Sequence, residues 1–198
     1  MAAGLQRSSE LDDKDDWTVD DLASLSEDLR YELIDGRLIV LHWTVFHQNL
    51  CQVLAGMLWP GCPPSHMPVP QVSIEVDPRN EPRPDVVVMR KAYAFRASVP
   101  VDGALLVVDV VSASSHFRDL YAKWKLYAAH DVGTYLVVDP TFEGGVMLTE
   151  CRLGENGHYD EVISTNKTFT TDFPYPITID VPALTALRDD FRRAEGDP

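Results

Sequence analysis

Residues 83–112 read RPDVVVMRKAYAFRASVPVDGALLVVDVVS, and this stretch decides the fold. It holds two continuous apolar runs, PDVVVM at 84–89 and ALLVVDVV at 104–111. Uninterrupted β-branched runs of this length predict strands covered on both faces. Each run carries a single acid, Asp85 in the first and Asp109 in the second. A lone carboxylate in such a setting is costly unless it is paired or bound to a cation. If the two strands pair, both carboxylates reach one place, and a hard divalent ion such as Mg²⁺ would relieve their repulsion.

Beyond a polar turn at 112–115 the spacing of Phe117, Leu120, Tyr121, Trp124, Tyr127 and Ala128 predicts a helix with one continuous apolar stripe. Lys123 lies on the edge of that stripe, one turn after Asp119, and can lean back towards the strand ends. A lysine there can orient a water or hold a phosphate oxygen. The same residues also fit a purely structural reading. Asp85 could cap a strand, Asp109 could pair with a buried arginine, and Asp119 with Lys123 could be an ordinary i,i+4 pair.

Outward from this centre the elements alternate. Thr18 with Asp21 resembles a capping box and predicts a short helix to about residue 28. Residues 31–41 read as a hairpin turning at Asp35-Gly36. Helical spacing runs from 43 to 59 and stops at Pro60-Gly61. The proline-rich stretch 61–70 predicts a loop, 71–76 a strand and 77–82 a turn. Further strands are expected at 135–138, 146–153 and 158–163, and a final helix at 183–191 behind Pro182. The fold class is α/β (α+β), a mixed central sheet flanked by helices. One domain over 17–191 is expected, with an acidic disordered tail at 1–16 and a flexible tail at 192–198.

Composition narrows the class. The chain has 198 residues, 45% of them hydrophobic, so it can build a core. No apolar run approaches a membrane span and the polar N-terminus does not read as a signal peptide, so a cytoplasmic protein without membrane contact is expected. Cys51, Cys62 and Cys151 are odd in number and lack CxxC spacing, which argues for reduced thiols against a disulfide framework or structural zinc. No P-loop, GxSxG or HExxH pattern points to another enzyme class.

An ordered set of motifs resembles a known family. Trp17-Thr18 opens the first helix, Tyr31-Glu32-Leu33-Ile34-Asp35-Gly36 forms the hairpin, and His47 begins the long helix. Arg83-Pro84-Asp85-Val86-Val87-Val88 and Val108-Asp109-Val110-Val111-Ser112 are the two acid strands. Asp119, Lys123 and Tyr127-Ala128 follow on the helix, then VGTYLVVDP at 132–140. Together, over roughly 17–185, these resemble the Uma-two-type restriction endonucleases of the PD-(D/E)xK superfamily.

The resemblance implies a restriction-endonuclease-like core with an N-terminal helix and β-hairpin. It implies an Mg²⁺-dependent endonuclease hydrolysing phosphodiester bonds, with DNA as the expected substrate and Mn²⁺ as a substitute ion. Asp85 and Asp109 correspond to metal ligands and Lys123 to the catalytic lysine. Asp119 would position Lys123, and Glu32 would add a carboxylate or serve in a hairpin salt bridge. His47 would face substrate or be structural. The position two after Asp109 is Val111, so the lysine role falls to Lys123 on the helix. The family usually has Glu where this chain has Asp109, its Ser-Pro-Ser-Thr turn is Ser112-Ala113-Ser114-Ser115 here, and the later strand lacks its Pro and Glu. These departures motivate a second reading, a catalytically weakened nuclease-fold binding or accessory protein, as a homodimer for example. A hydrolase of small phosphate esters is a third, weaker reading.

Taken alone, the net charge of −14 opposes a phosphate substrate. Its distribution removes the objection. Residues 79–130 carry eight basic and five acidic side chains, a local +3, so −17 lies elsewhere. Net acidity then predicts weak, salt-sensitive non-specific binding of DNA through one face.

Overall fold

The two valine-rich runs form adjacent antiparallel strands in the middle of a six-stranded sheet. The computed structural model describes residues 16–25, 29–112 and 117–196; side chains at 117–120 lie outside that description. In chain order the elements are α1 (Val19–Leu22), the hairpin β1 (Tyr31–Ile34) and β2 (Arg37–Val40), α2 (Val45–Leu58), β3 (His66–Pro70), β4 (Ser73–Glu75) and β5 (Val86–Arg90). Then come β6 (Ser98–Pro100), β7 (Ala104–Val110), α3 (Phe117–Ala129), β8 (Thr134–Asp139), β9 (Met147–Leu153) and β10 (Tyr159–Thr165). The short hairpin β11 (Phe169–Thr171) and β12 (Ile177–Ile179) precedes α4 (Val181–Glu195).

The sheet runs β10-β9-β8-β7-β5-β3. Only β7 and β8 are parallel within it, and α3 is their crossover. This is the expected mixed sheet with helices on both faces. Period-2 alternation sorts its side chains. Val86, Val88, Leu106, Val108, Leu136 and Val138 face α2, α4 and the β11–β12 hairpin. Val87, Met89, Val107 and Tyr135 face α3 and the parallel β4–β6 pair. Each fully buried valine or leucine contributes about 1.5–3 kcal/mol relative to exposure. The continuous apolar runs are thus explained by two covered faces.

Several boundaries differ from the sequence reading. The stretch expected as a loop contains the edge strand β3. Pro68 and Pro70 share one parity, and on an edge strand alternate N–H groups face outward, where a missing donor costs nothing. The first helix ends at Leu22 rather than continuing, with Thr18 N–H and hydroxyl both donating to Asp21 Oδ2 at 2.8 and 2.7 Å. The helix α4 extends through Glu195, so residues 192–195 are helical and not a flexible tail. The tail expected before Trp17 falls, up to residue 15, outside the described residues. Tyr121 leaves the apolar stripe. It is 53% exposed and lies beneath Lys125, whose Nζ is 4.5 Å from the ring centroid. Among the described residues no helix is long and apolar enough to cross a membrane.

The N-terminal hairpin is tied to the sheet. Leu33 and Glu81 exchange backbone hydrogen bonds of 3.1 and 2.9 Å just ahead of β5. Asp35 and Gly36 make the tight turn with φ of 51° and 76°, as the Asp-Gly pair predicts. Trp17, Leu22 and Leu33 form a small core beneath it. This docking places the second residue of β1, Glu32, against the start of β5.

Candidate functional site

The register of β5 and β7 pairs Val86 with Val108. One step further out, Asp85 stands across from Asp109. The two carboxylates therefore meet at one sheet end, as the spacing of the runs suggested. They are held differently. Val110 N–H donates to Asp85 Oδ2 at 2.6 Å, and His47 Nε2 lies 2.7 Å from Asp85 Oδ1. Asp109 Oδ1 accepts from Lys123 Nζ at 3.1 Å, and Asp109 Oδ2 accepts from the Tyr135 hydroxyl at 3.0 Å.

Lys123 arrives from α3 and bridges two acids. Its Nζ is also 2.8 Å from Glu32 Oε2. Glu32 in turn accepts the Arg83 backbone N–H at 3.2 Å, and the Arg83 side chain is held on Ser73 Oγ at 2.9–3.0 Å. Glu32, His47, Asp85, Asp109 and Lys123 are all buried, none more than 8% exposed. A cleft of about 120 Å³ opens onto all five, with Trp43 and residues 39–41 of the hairpin on its rim.

Burial and mutual repulsion set the protonation chemistry. Burial pushes the Asp109 carboxyl up to about 6, against the pull of Lys123, and Asp85 and Glu32 add to the rise. Burial pulls the Lys123 pKa down, but Asp109, Glu32 and Asp85 outweigh it and keep the ammonium more firmly protonated than usual. Burial, then the neighbouring Asp109, raises the Tyr135 phenol well above its ordinary value, so it stays a donor. Burial also raises the Cys51 thiol, reinforced by Asp85 and Asp109.

With all three acids ionised the cluster carries three carboxylates against one fixed ammonium. A divalent cation would balance that excess. An ionised carboxylate offers roughly four acceptor sites, so the two bonds on each aspartate leave room for a ligand. The donor set thus fits a hard metal ion.

The structure brings together Asp85, Asp109, Lys123, Glu32 and His47. Asp119 is on α3 one turn before Lys123, but its side chain lies outside the described residues. Of the alternatives left open in the sequence, Glu32 is in an ion pair with Lys123 and not with its own hairpin. Asp109 meets that lysine, not an arginine.

Three neighbours escaped the sequence reading. Tyr135 sits two residues from Val137, the register partner of Asp109, on the same face. Trp43 stacks on the His47 ring, with centroids 6.3 Å apart and planes 5° from parallel. Cys51 follows His47 by one helical turn, and its Sγ lies with His47 and Asp85 donor atoms inside a 4.8 Å cluster. The Trp43–His47 and His47–Cys51 spacings, each four residues, were visible beforehand, whereas the Tyr135–Asp109 contact depends on tertiary placement.

Comparison with known proteins follows the same lines. The model of the Uma2 family, described as "Putative restriction endonuclease", matches residues 18–174. Among solved structures, that of a "putative nuclease belonging to DUF820" from Anabaena variabilis ATCC 29413 is similar, with a TM-score of 0.65 at 12% identity. The match covers 86% of this chain and 98% of that one. At this identity the likeness is one of fold. No curated protein matches the chain.

Proposed function

The chain belongs to the Uma2 family, and from that premise we propose that it is a metal-dependent endonuclease hydrolysing phosphodiester bonds of DNA. The observation that carries this reading is the meeting of Asp85, Asp109 and Lys123 at one cleft, with Lys123 3.1 Å from Asp109. Asp85 and Asp109 would hold Mg²⁺, or Mn²⁺ in its place. When bound, such an ion lowers the pKa of a coordinated water and neutralises charge on the scissile phosphate.

The remaining work falls to side chains of this chain. Lys123 has three N–H donors, and two are engaged by Glu32 and Asp109. The third has no partner among the described residues and can serve a nucleophilic water or a phosphate oxygen. Glu32, itself fixed by the Arg83 N–H, holds the lysine in place. Asp119 is proposed as a further neighbour of Lys123. The local +3 over residues 79–130 supports a polyanionic substrate despite the overall acidity.

A second reading is favoured by one observation. Asp109 is shorter than the usual glutamate and both of its oxygens are already engaged. A nuclease fold that binds nucleic acid without cutting it would look like this. Plasmid cleavage separates the two. Wild-type protein with Mg²⁺ or Mn²⁺ should nick supercoiled DNA, and Asp85→Ala should lose that activity. Folded wild-type protein that binds the ion and leaves the plasmid intact would establish the second reading.

A further inference from the structure

We propose that His47, Cys51 and Asp85 form a second kind of metal site, one that takes a late first-row divalent ion such as Zn²⁺. It shares Asp85 with the proposed nuclease centre but lies on the α2 side of the sheet, and it does not depend on the nuclease reading. The donor atoms of the three residues lie within 4.8 Å of one another, and all three side chains are buried. No cysteine pair is needed, so the absence of CxxC spacing, which argues against a zinc finger, leaves this arrangement open.

Three features build the site. His47 and Cys51 are four residues apart on α2, which puts them on one helical face one turn apart. The His47 side chain is packed by the stacked Trp43 ring, and its backbone N–H is fixed by Thr44 Oγ1 at 3.1 Å in the helix cap. Asp85 is anchored by the Val110 N–H, which leaves the other oxygen facing His47 Nε2. The result is one nitrogen, one sulfur and one oxygen donor.

That donor set discriminates between ions. Mg²⁺ favours oxygen ligands and octahedral geometry, whereas thiolate and imidazole suit Zn²⁺ and its neighbours. Zinc bonds of about 2.0–2.3 Å imply ligand separations of roughly 3.3–3.8 Å around a tetrahedron. The widest separation must therefore close by at most about 1 Å, and the 2.7 Å His47–Asp85 contact must open by about 0.6 Å. Three protein ligands leave a fourth position, and the cleft that borders His47 and Asp85 can supply it with water. On binding, the Cys51 thiol becomes a thiolate and its proton passes to solvent. His47 coordinates as neutral imidazole through Nε2 and gives up its contact with Asp85.

Cobalt reports on this directly. Titration of the full chain with Co²⁺ should saturate near one ion per chain and give a thiolate-to-cobalt charge-transfer absorption, which Zn²⁺ then abolishes. Cys51→Ser should remove that absorption, and His47→Ala should weaken binding by at least about tenfold. Cys62→Ser should keep both. Because Cys51 is fully buried, a wild-type readout stands beside the variants: the zinc-bound wild-type chain should show one sulfur ligand in its X-ray absorption spectrum. A wild-type cobalt spectrum without the thiolate absorption, or its survival in folded Cys51→Ser, overturns the proposal. A protein that nicks DNA with Mg²⁺ yet fails these tests loses this site and keeps the nuclease reading. One that passes them without cutting DNA does the reverse.

Discussion

Asp85 and Asp109 stand opposite each other across one pair of strands, yet their surroundings differ in kind. Asp109 faces α3, where a permanent cation and a phenol engage both of its oxygens. Asp85 faces α2, where it meets an imidazole and a backbone amide with a thiol in reach. One half of the site carries its own fixed countercharge. The other is built from groups that bind metals once deprotonated. The same sheet end thus sets an ion-pair network beside a cluster of imidazole, thiol and carboxylate. The difference follows from which helix sends a side chain to each carboxylate, His47 to Asp85 and Lys123 to Asp109.

The sharpest test of that division is removal of the fixed cation. Lys123→Met keeps apolar volume but leaves Glu32 and Asp109 buried without their ammonium. Breaking a buried pair in this way costs about 3–5 kcal/mol, and urea denaturation should show a loss of that size. Asp85→Asn should cost only about 1 kcal/mol, because the amide oxygen can still accept the Val110 N–H. Equal losses in the two variants would break the comparison. The lysine variant should also be inactive in plasmid cleavage, so its folded fraction must be measured alongside.

A smaller effect is expected at the phenols on the Asp109 side. Tyr135→Phe deletes the hydroxyl bonded to Asp109, and hydrogen bonds to charged groups contribute about 1.5–3 kcal/mol. Tyr127 is equally buried and packs on Tyr135 at 5.6 Å, but its hydroxyl has no hydrogen-bond partner among the described residues. Tyr127→Phe should therefore be neutral or slightly stabilising. Thermal unfolding of the two variants, side by side, separates the phenol that holds Asp109 from the one that only packs. Similar shifts in both would remove Tyr135 from the site.

Much of this arrangement was legible in the sequence because it lies in local pattern. The valine runs announce strands with two covered faces, and an acid in each run flags the place where they meet. The position of Lys123 beside an apolar stripe points it at the sheet. The rest depends on distance in the chain. Glu32 reaches Lys123 only because Leu33 pairs with Glu81, a contact that no periodicity encodes. The edge strand β3 was hidden by prolines whose cost vanishes at an edge. Tyr121 satisfied the helical period but is exposed beneath Lys125, so the stripe overstated its burial. Cys51 was passed over because cysteines were weighed against one another and not against a histidine one turn away.

The mildest perturbation is a change of pH, and it tests the same division without altering the fold. Asp109 has its carboxyl raised to about 6 from an ordinary 3.8, chiefly by burial. A carboxyl with a higher pKa in the folded chain than in the unfolded chain binds its proton more readily when folded. Its contribution to stability therefore grows as pH falls through about 6 and levels off below about 4. For metal-free protein the gain between pH 7 and pH 5 is about 1 kcal/mol. Asp109→Asn has no such proton to bind and should lack that increment. The measurement is the difference between wild type and variant in unfolding free energy at the two pH values, so that titration elsewhere cancels. A difference that stays flat, or that reverses sign, would mean that Lys123 compensates Asp109 fully and that burial does not govern this half of the site.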